Sequence, residues 1–308
     1  MRFWKAMGMS SAVVQVAVLE DRGVVSVTGP DAEKLLAGLI TNDMTLLADA
    51  PALYAALLTP QGKILFDFLV VKTEGGFLLD TVRDKAGELV KRISMYKLRA
   101  DVQIRDVSAD FVVAAAWGEA PLSPGGAAGA HVFADPRLPA LGDRIVAEAR
   151  SADAALAAIG GNSVSSAAYH AHRIVLGVPE GGRDFAYGDT FPHEALLDQL
   201  HGVSFTKGCF VGQEVVSRMQ HRTSVRKRVV PVLADQALPA GPLPVLAGKA
   251  EIGRLGSVAG ARGLALLRLD RVAEARRDGI ALVAGGVALR VELPAFATFK
   301  IGAPHEIA

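Results

Sequence analysis

The sequence predicts an α+β protein, two mixed lobes followed by a small C-terminal β-barrel. Three observations lead there. Strand-like runs and helical periods are mixed, but several strands close into hairpins instead of alternating strictly with helices. A Pro/Gly/Ala-rich stretch near 118–130 separates two such blocks. After about residue 228 the chain becomes short strands spaced by Gly and Pro, the pattern of small barrels. The expected division is 1–228 for the lobes and 229–308 for the barrel.

Taken in order, Val13 to Leu19 reads as a strand. Val24 to Thr28 is a second, and Gly29-Pro30-Asp31 turns the chain into a helix whose apolar face is Leu35, Leu36, Leu39 and Ile40. Ala52 to Leu58 and Lys63 to Val71 form a hairpin around Thr59-Pro60-Gln61-Gly62. Phe77 to Leu79 is a short strand, and Val82, Ala86, Leu89, Val90 and Ile93 recur at helical spacing before Leu98 to Ile104 return to alternation. Beyond the linker, Arg144 to Ala147 is strand-like. Asn162 or Ser163 can cap a helix that runs through Tyr169 and Arg173 and stops at Gly177-x-Pro179. From Glu180 to Lys207 there is little periodicity, and a loop that long in a compact protein is usually functional. The closing strands are Val229 to Leu233, Leu246 to Ala247, Glu251 to Val258, Leu264 to Leu269, Ile280 to Val283 and Ala288 to Val291.

Composition narrows the classes. Among 308 residues, 51% are apolar and 21% charged, an ordinary globular balance. A net charge of +1 gives no nucleic-acid footprint. No apolar run reaches the roughly 18–20 residues of a membrane span. Arg2 and Lys5 before an apolar stretch imitate a signal peptide, but Gln15 interrupts it and no small-residue cleavage site follows, so the expected compartment is the cytoplasm. A single cysteine excludes an internal disulfide and any metal site built from several cysteines of one chain.

That cysteine sits in Lys207-Gly208-Cys209-Phe210-Val211-Gly212-Gln213-Glu214. Gly208 and Gly212 allow a tight loop, and a helix begins after it with Val215, Val216 and Met219 on one face. A lysine two residues away and a helix N-terminus both stabilise a thiolate. A buried structural cysteine beside a turn fits the same residues. Asp67 shares period two with Leu65 and Leu69, which places a carboxylate among apolar side chains, either lining a pocket or making a structural hydrogen bond. Thr41-Asn42-Asp43 follow the first helix, where side chains bond turn backbone. His193-Glu194 near His201 fit no usual metal spacing, and no metal is expected. Arg218, His221, Arg222, Arg226, Lys227 and Arg228 form the densest basic run, a solvated face or a contact surface for polyanions.

The octapeptide matches every defined position of Lys-Gly-Cys-(Phe/Tyr)-x-Gly-Gln-Glu, the hallmark of YgfZ-type proteins, folate-binding relatives of the glycine-cleavage T-protein. Val24 to Val71 resemble that family's N-terminal block, and Arg173 to Pro179 its Arg-Ile-x-x-Gly-x-Pro segment. The resemblance implies a T-protein-like folate-binding region with tetrahydrofolate or another reduced folate as ligand. It also implies a role supporting iron–sulfur enzymes, with assembly proteins or client enzymes as partners. Cys209 and Lys207 would be the working residues. Asn42, Asp43, Gln61, Lys63, Asp67, Arg99, Gly208, Gly212, Gln213 and Glu214 would lie around the folate, whose glutamate tail the basic run could meet. A folate-dependent aminomethyltransferase-like enzyme is the alternative, because T-proteins carry an essential aspartate at about the place of Asp67. Phe66 and Val175 stand where such proteins tend to carry acids, and Glu180 could substitute for the second. A scaffold with a structural thiol is a third reading.

Overall fold

The computed structural model describes residues 14–118, 128–221 and 225–302. The first ten residues, most of the 118–130 linker and Arg222 lie outside them. The first sheet is built from one continuous segment: β2 (Arg22–Thr28), β3 (Ala52–Leu58), β4 (Ile64–Thr73), β5 (Gly76–Val82) and β6 (Gln103–Asp106), ordered β3-β4-β5-β2-β6, after a leading strand β1 (Gln15–Val18). Helices α1 (Ala32–Leu39) and α2 (Ala86–Lys97) cover one face, where Leu36, Leu39, Leu89 and Ile93 pack on Leu53, Leu57, Phe66 and Phe68. The other face, with Ala52, Tyr54, Ala56 and Leu69, turns toward the second lobe. A register shift between Leu57 and Leu58 breaks the alternation, so Ile64 rather than Leu65 joins that inner face.

The second sheet, β7 (Phe111–Trp117), β8 (Ala130–Ala134), β9 (Asp143–Glu148) and β10 (Asn162–Val164), takes β1 in between β10 and β7, giving the order β10-β1-β7-β9-β8. Helices α3 (Ala152–Ile159) and α4 (Ser166–Leu176) belong to this lobe. Asn162 and Ser163 pair with β1 instead of capping α4, whose N-cap is Ser165. The predicted alternation from Leu98 is likewise corrected: α2 runs to Lys97, and the strand begins only at Gln103.

From Gly177 to Gly212 the chain is an irregular strap ending at α5 (Gln213–His221). It is not a surface loop. Phe185, Ala195, Leu196, Leu197 and Leu200 lie in the core shared by the two sheets. Backbone bonds tie it to β4, with the Ile64 amide donating to the Thr190 carbonyl at 2.9 Å and the Gly188 amide to the Ile64 carbonyl at 2.7 Å. The rest closes as a six-stranded barrel of β11 (Lys227–Leu233), β12 (Leu243–Ala247), β13 (Ala250–Ala259), β14 (Arg262–Arg268), β15 (Leu282–Ala284) and β16 (Val287–Val291). Between β14 and β15 lies α6 (Leu269–Arg277), which was not among the predicted elements; Leu269, Val272 and Ala275 are the buried positions that seat it.

Arg173 of α4 joins lobe, strap and barrel. Its guanidinium donates to Asp184 Oδ2 at 2.6 Å, the Val178 carbonyl at 3.1 Å and Ser257 Oγ of β13 at 2.8 Å. Burial opposes its charge, but Asp184 and Glu180 overcome that and raise its pKa.

Candidate functional site

Two predicted motifs meet backbone to backbone. Gly212 has φ +81°, and a Cβ there would stand 2.6 Å from the Thr59 carbonyl oxygen and 3.1 Å from Gly62 Cα. Gly62, at φ +79°, would place its own Cβ 2.9 Å from Val215 of α5. The cysteine loop therefore seats on the turn of the β3–β4 hairpin only because both residues lack side chains. Gly208 differs from the expectation. Its backbone is not left-handed, and its Cβ position opens onto free space.

Lys207 anchors the other end of the loop. Its Nζ donates to the carbonyls of Ala37 and Ile40 at 2.8 Å each and of Asn42 at 2.9 Å. An ammonium has three protons, and these three acceptors at and just beyond the end of α1 use them all. The predicted Lys207 contact to the thiolate is thus corrected: this lysine positions the loop by capping a helix C-terminus, a favourable place for a cation. Burial lowers its pKa to about 8, with Asp43 opposing the shift. Between the two anchors, Cys209 is a free thiol exposed to solvent.

Asn42 is a knot. Its amide donates to the carbonyls of Tyr54 at 2.8 Å and His201 at 2.7 Å, and its Oδ1 accepts from the Asp43 amide at 2.9 Å. Both protons are consumed internally, which corrects its assignment to a ligand. Asp43 caps the following turn through Thr45. Gln61 is exposed at the hairpin turn; Lys63 bonds the Asp189 carbonyl and sits 3.5 Å from the centre of the Phe191 ring. Gln213 is half-buried, and Glu214 pairs with Arg218 at 2.7 Å. Arg99 is exposed in the connection after α2, on the helix-covered side of the sheet, and so is not brought to Asp67. Arg228 is not on a solvated face either: it is buried against Asp198 at 2.8 Å.

Asp67 faces the second lobe and is 4% exposed. Tyr54 donates its hydroxyl to Oδ2 at 2.9 Å and Tyr187 of the strap to Oδ1 at 2.5 Å. Burial and the Asp67 charge raise both tyrosine pKa values, keeping these hydroxyls protonated donors. Gly181 passes so close that a Cβ would stand 2.6 Å from Asp67 Oδ1. Beside it, sequence reading missed a buried ionic centre. Arg22 donates to Asp80 at 2.6 Å, Arg144 lies 3.6 Å from Asp80, and Asp135 takes Arg137 at 2.7 Å. The signal was present in Asp80, an acid between Leu79 and Thr81 in a strand whose neighbours are apolar.

His193 and Glu194 do not converge with His201. His193 Nε2 meets Gln220 Oε1 at 3.1 Å, and Glu194 accepts from the Phe191 amide. Among the described residues, the acids and histidine that do converge are Asp21, His170 and Glu180, with ligand atoms within 4.8 Å of one another. Arg183 lies 2.8 Å from Asp21 and 3.0 Å from Glu180, and Arg173 lies 3.4 Å from Glu180. Those guanidiniums already neutralise the carboxylates, so the group is an ion-pair junction. Burial pushes the Glu180 pKa up, but Arg173, Arg22 and His170 outweigh it and hold the carboxyl low.

One pH dependence follows. Burial lowers the pKa of His131, His172 and His193, with only partial compensation from Glu148, the Ala140 carbonyl and Asp198. In the unfolded chain these groups take protons near pH 6.5; in the folded chain they resist. The unfolded state then binds more protons, and stability falls as pH drops through about 6.5. Thermal melts at pH 7.5, 6.5 and 5.5 should show a loss that begins in the first interval and is larger in the second.

Comparison with known proteins fits this architecture. The profile described as GCVT N-terminal domain matches residues 10–122, and that described as CAF17, C-terminal beta-barrel domain, matches 226–299. The crystal structure of glycine cleavage system aminomethyltransferase T from Bartonella henselae superposes with a TM-score of 0.73 over 95% of this chain and 89% of that one; at 18% identity it shows a shared fold. The protein named iron-sulfur cluster assembly factor IBA57, mitochondrial, of Homo sapiens is 34% identical over 279 residues, 82% of this chain and 77% of its own length. The IBA57 homolog of Mycosarcoma maydis is 38% identical over 237 residues, and that of Neurospora crassa 34% over 232. The chain spans just over half of these fungal relatives, 58% and 52%. All three names carry the word mitochondrial, which overturns the expected cytoplasmic location. The single cysteine argues only for a reducing compartment, and the cytoplasm is not the only one. On the human match, the chain belongs to the family of IBA57 iron–sulfur cluster assembly factors, a family with a T-protein-like fold.

Proposed function

We infer that this chain supports the assembly or repair of iron–sulfur proteins, that a reduced folate binds between its lobes, and that Cys209 is its working group. The observation that carries the reading is the presentation of the thiol. A free cysteine is usually buried, yet this one is held in solvent by a loop fixed at Lys207 and at Gly212. With one cysteine in the chain, iron would be shared with a partner protein, a second copy or a small thiol. The family resemblance to YgfZ-type proteins supplies the folate. Asp67 and Glu180 flank Gly181, and Arg22 feels both carboxylates, so the inter-lobe centre offers acceptors suited to the N–H edge of a pterin. Val175 is 52% exposed on α4, which leaves Glu180 as the better placed acid.

Calorimetry with tetrahydrofolate kept reduced tests the folate site. Saturable one-to-one heat is expected, with at least a tenfold loss of affinity in Asp67→Asn; absence of heat at millimolar ligand removes the folate from this reading.

A further inference from the structure

Helix α2 buries Ala86, Leu89 and Ile93 and turns the opposite side to water. That side ends in Met95, 68% exposed, and Leu98, 90% exposed. Met95 lies in the last turn of α2 and Leu98 follows its last residue, so both stand at the same end of the helix. Leu98 also has φ +44° and ψ −104°. That is the mirror image of an extended conformation, open to glycine and costly for a residue with a Cβ. A leucine here pays strain and gains no burial within its own chain.

The surroundings are mainly basic, with Asp101 and Asp31, tied to each other just beyond the helix, as the exceptions. Lys91, Arg92, Lys97 and Arg99 flank the two apolar side chains, and among the described residues none forms an ion pair or side-chain hydrogen bond with them. Glu88, the nearest acid on the helix, is taken by Lys85 at 2.7 Å. Most arginines elsewhere in the fold, Arg22, Arg137, Arg173 and Arg228 among them, are paired.

We propose that the C-terminal end of α2 is a docking site for an acidic protein, with Leu98 and Met95 entering an apolar socket rimmed by Asp and Glu side chains. Unpaired cations around an exposed apolar anchor match such a rim by charge, and the anchor-and-rim arrangement is that of protein interfaces. An anionic membrane fits less well. An interfacial helix sinks a whole apolar face into lipid, and the apolar face of α2 is already committed to the core.

The test places a photo-crosslinking benzoylphenylalanine at position 98 of the full chain in cells. A discrete protein adduct is expected, mapping to an acid-rich peptide. It should be lost in Arg92→Glu/Arg99→Glu and restored when carboxylates of that peptide are replaced by lysine. An adduct indifferent to charge reversal, one to a second copy of the chain, or none above a buried-position control overturns the proposal. So does flotation with vesicles containing phosphatidylglycerol that depends on Leu98. Leu98→Gly separates docking from structure: the melting temperature should rise by about 2 °C as strain is relieved, while wild-type chain carrying a crosslinker at Met95 keeps its adduct and the Leu98→Gly chain loses it. Equal adducts from both also overturn it. Cys209→Ala should leave the adduct unchanged, so failure here is distinct from failure of the thiol reading.

Discussion

Replacing Cys209 with alanine is expected to abolish complementation of a deletion strain while leaving the fold intact. The side chain is exposed and, among the described residues, has no hydrogen-bond partner; the anchors are Lys207 and the Gly212 backbone. Exposed substitutions of this kind change stability by about 0.5 kcal/mol or less, so the melting temperature should stay near wild type. Tetrahydrofolate affinity should stay too, because the Asp67 centre is built from other residues. The activities of iron–sulfur enzymes in the complemented strain are the readout. Full restoration by the alanine variant would show that the thiol is dispensable and move the functional centre to the space between the lobes.

Arg173→Met should be strongly destabilising. Removing one partner of a buried ion pair costs about 3–5 kcal/mol, because the remaining charge is left without compensation. Here Asp184 would keep only the backbone amides of Glu180 and Ser257, and Glu180 would lose its largest opposing charge. At roughly 2–4 °C per kcal/mol, the melting temperature should fall by about 10 °C. Since Arg173 also holds Ser257 of the barrel, proteolysis should begin at the junction with the barrel. A Met variant that melts within about 2 °C of wild type would mean the joint is held by other contacts.

Much of the frame was legible because it is local. The β3–β4 hairpin declared itself by two apolar runs around Pro60 and Gly62, and the barrel by short strands between glycines and prolines. The helix α6 was hidden by its charge: Asp270, Arg271, Glu274, Arg276 and Arg277 outnumber the three apolar residues it buries. What the sequence could not disclose is the work of contacts across long separations. Lys207 stands two residues from Cys209 along the chain, and proximity suggested an effect on sulfur. Its ammonium instead reaches carbonyls 165–170 positions earlier. Asp67 was readable as a carboxylate among apolar side chains, but its partner Tyr187 lies 120 positions away. Arg99 failed in the opposite direction, since its motif says nothing about which side of the sheet it occupies.

The anchoring of the cysteine loop also sets an order of events during synthesis. The whole first sheet is encoded by Arg22 to Asp106, so it can fold while the rest of the chain is still being made. Its α1 carbonyls and hairpin turn then wait for Lys207 and Gly212, about 100 residues later. At about 5–20 residues per second that is roughly 5–20 s. During this interval the landing place is complete and empty, and the thiol has not yet left the ribosome. Cys209 emerges just as the ammonium beside it finds its acceptors, so the nascent thiol spends little time untethered. A ribosome-bound chain stalled near residue 180 should therefore already protect the amides of β3 and β4 from exchange, before Cys209 has been made.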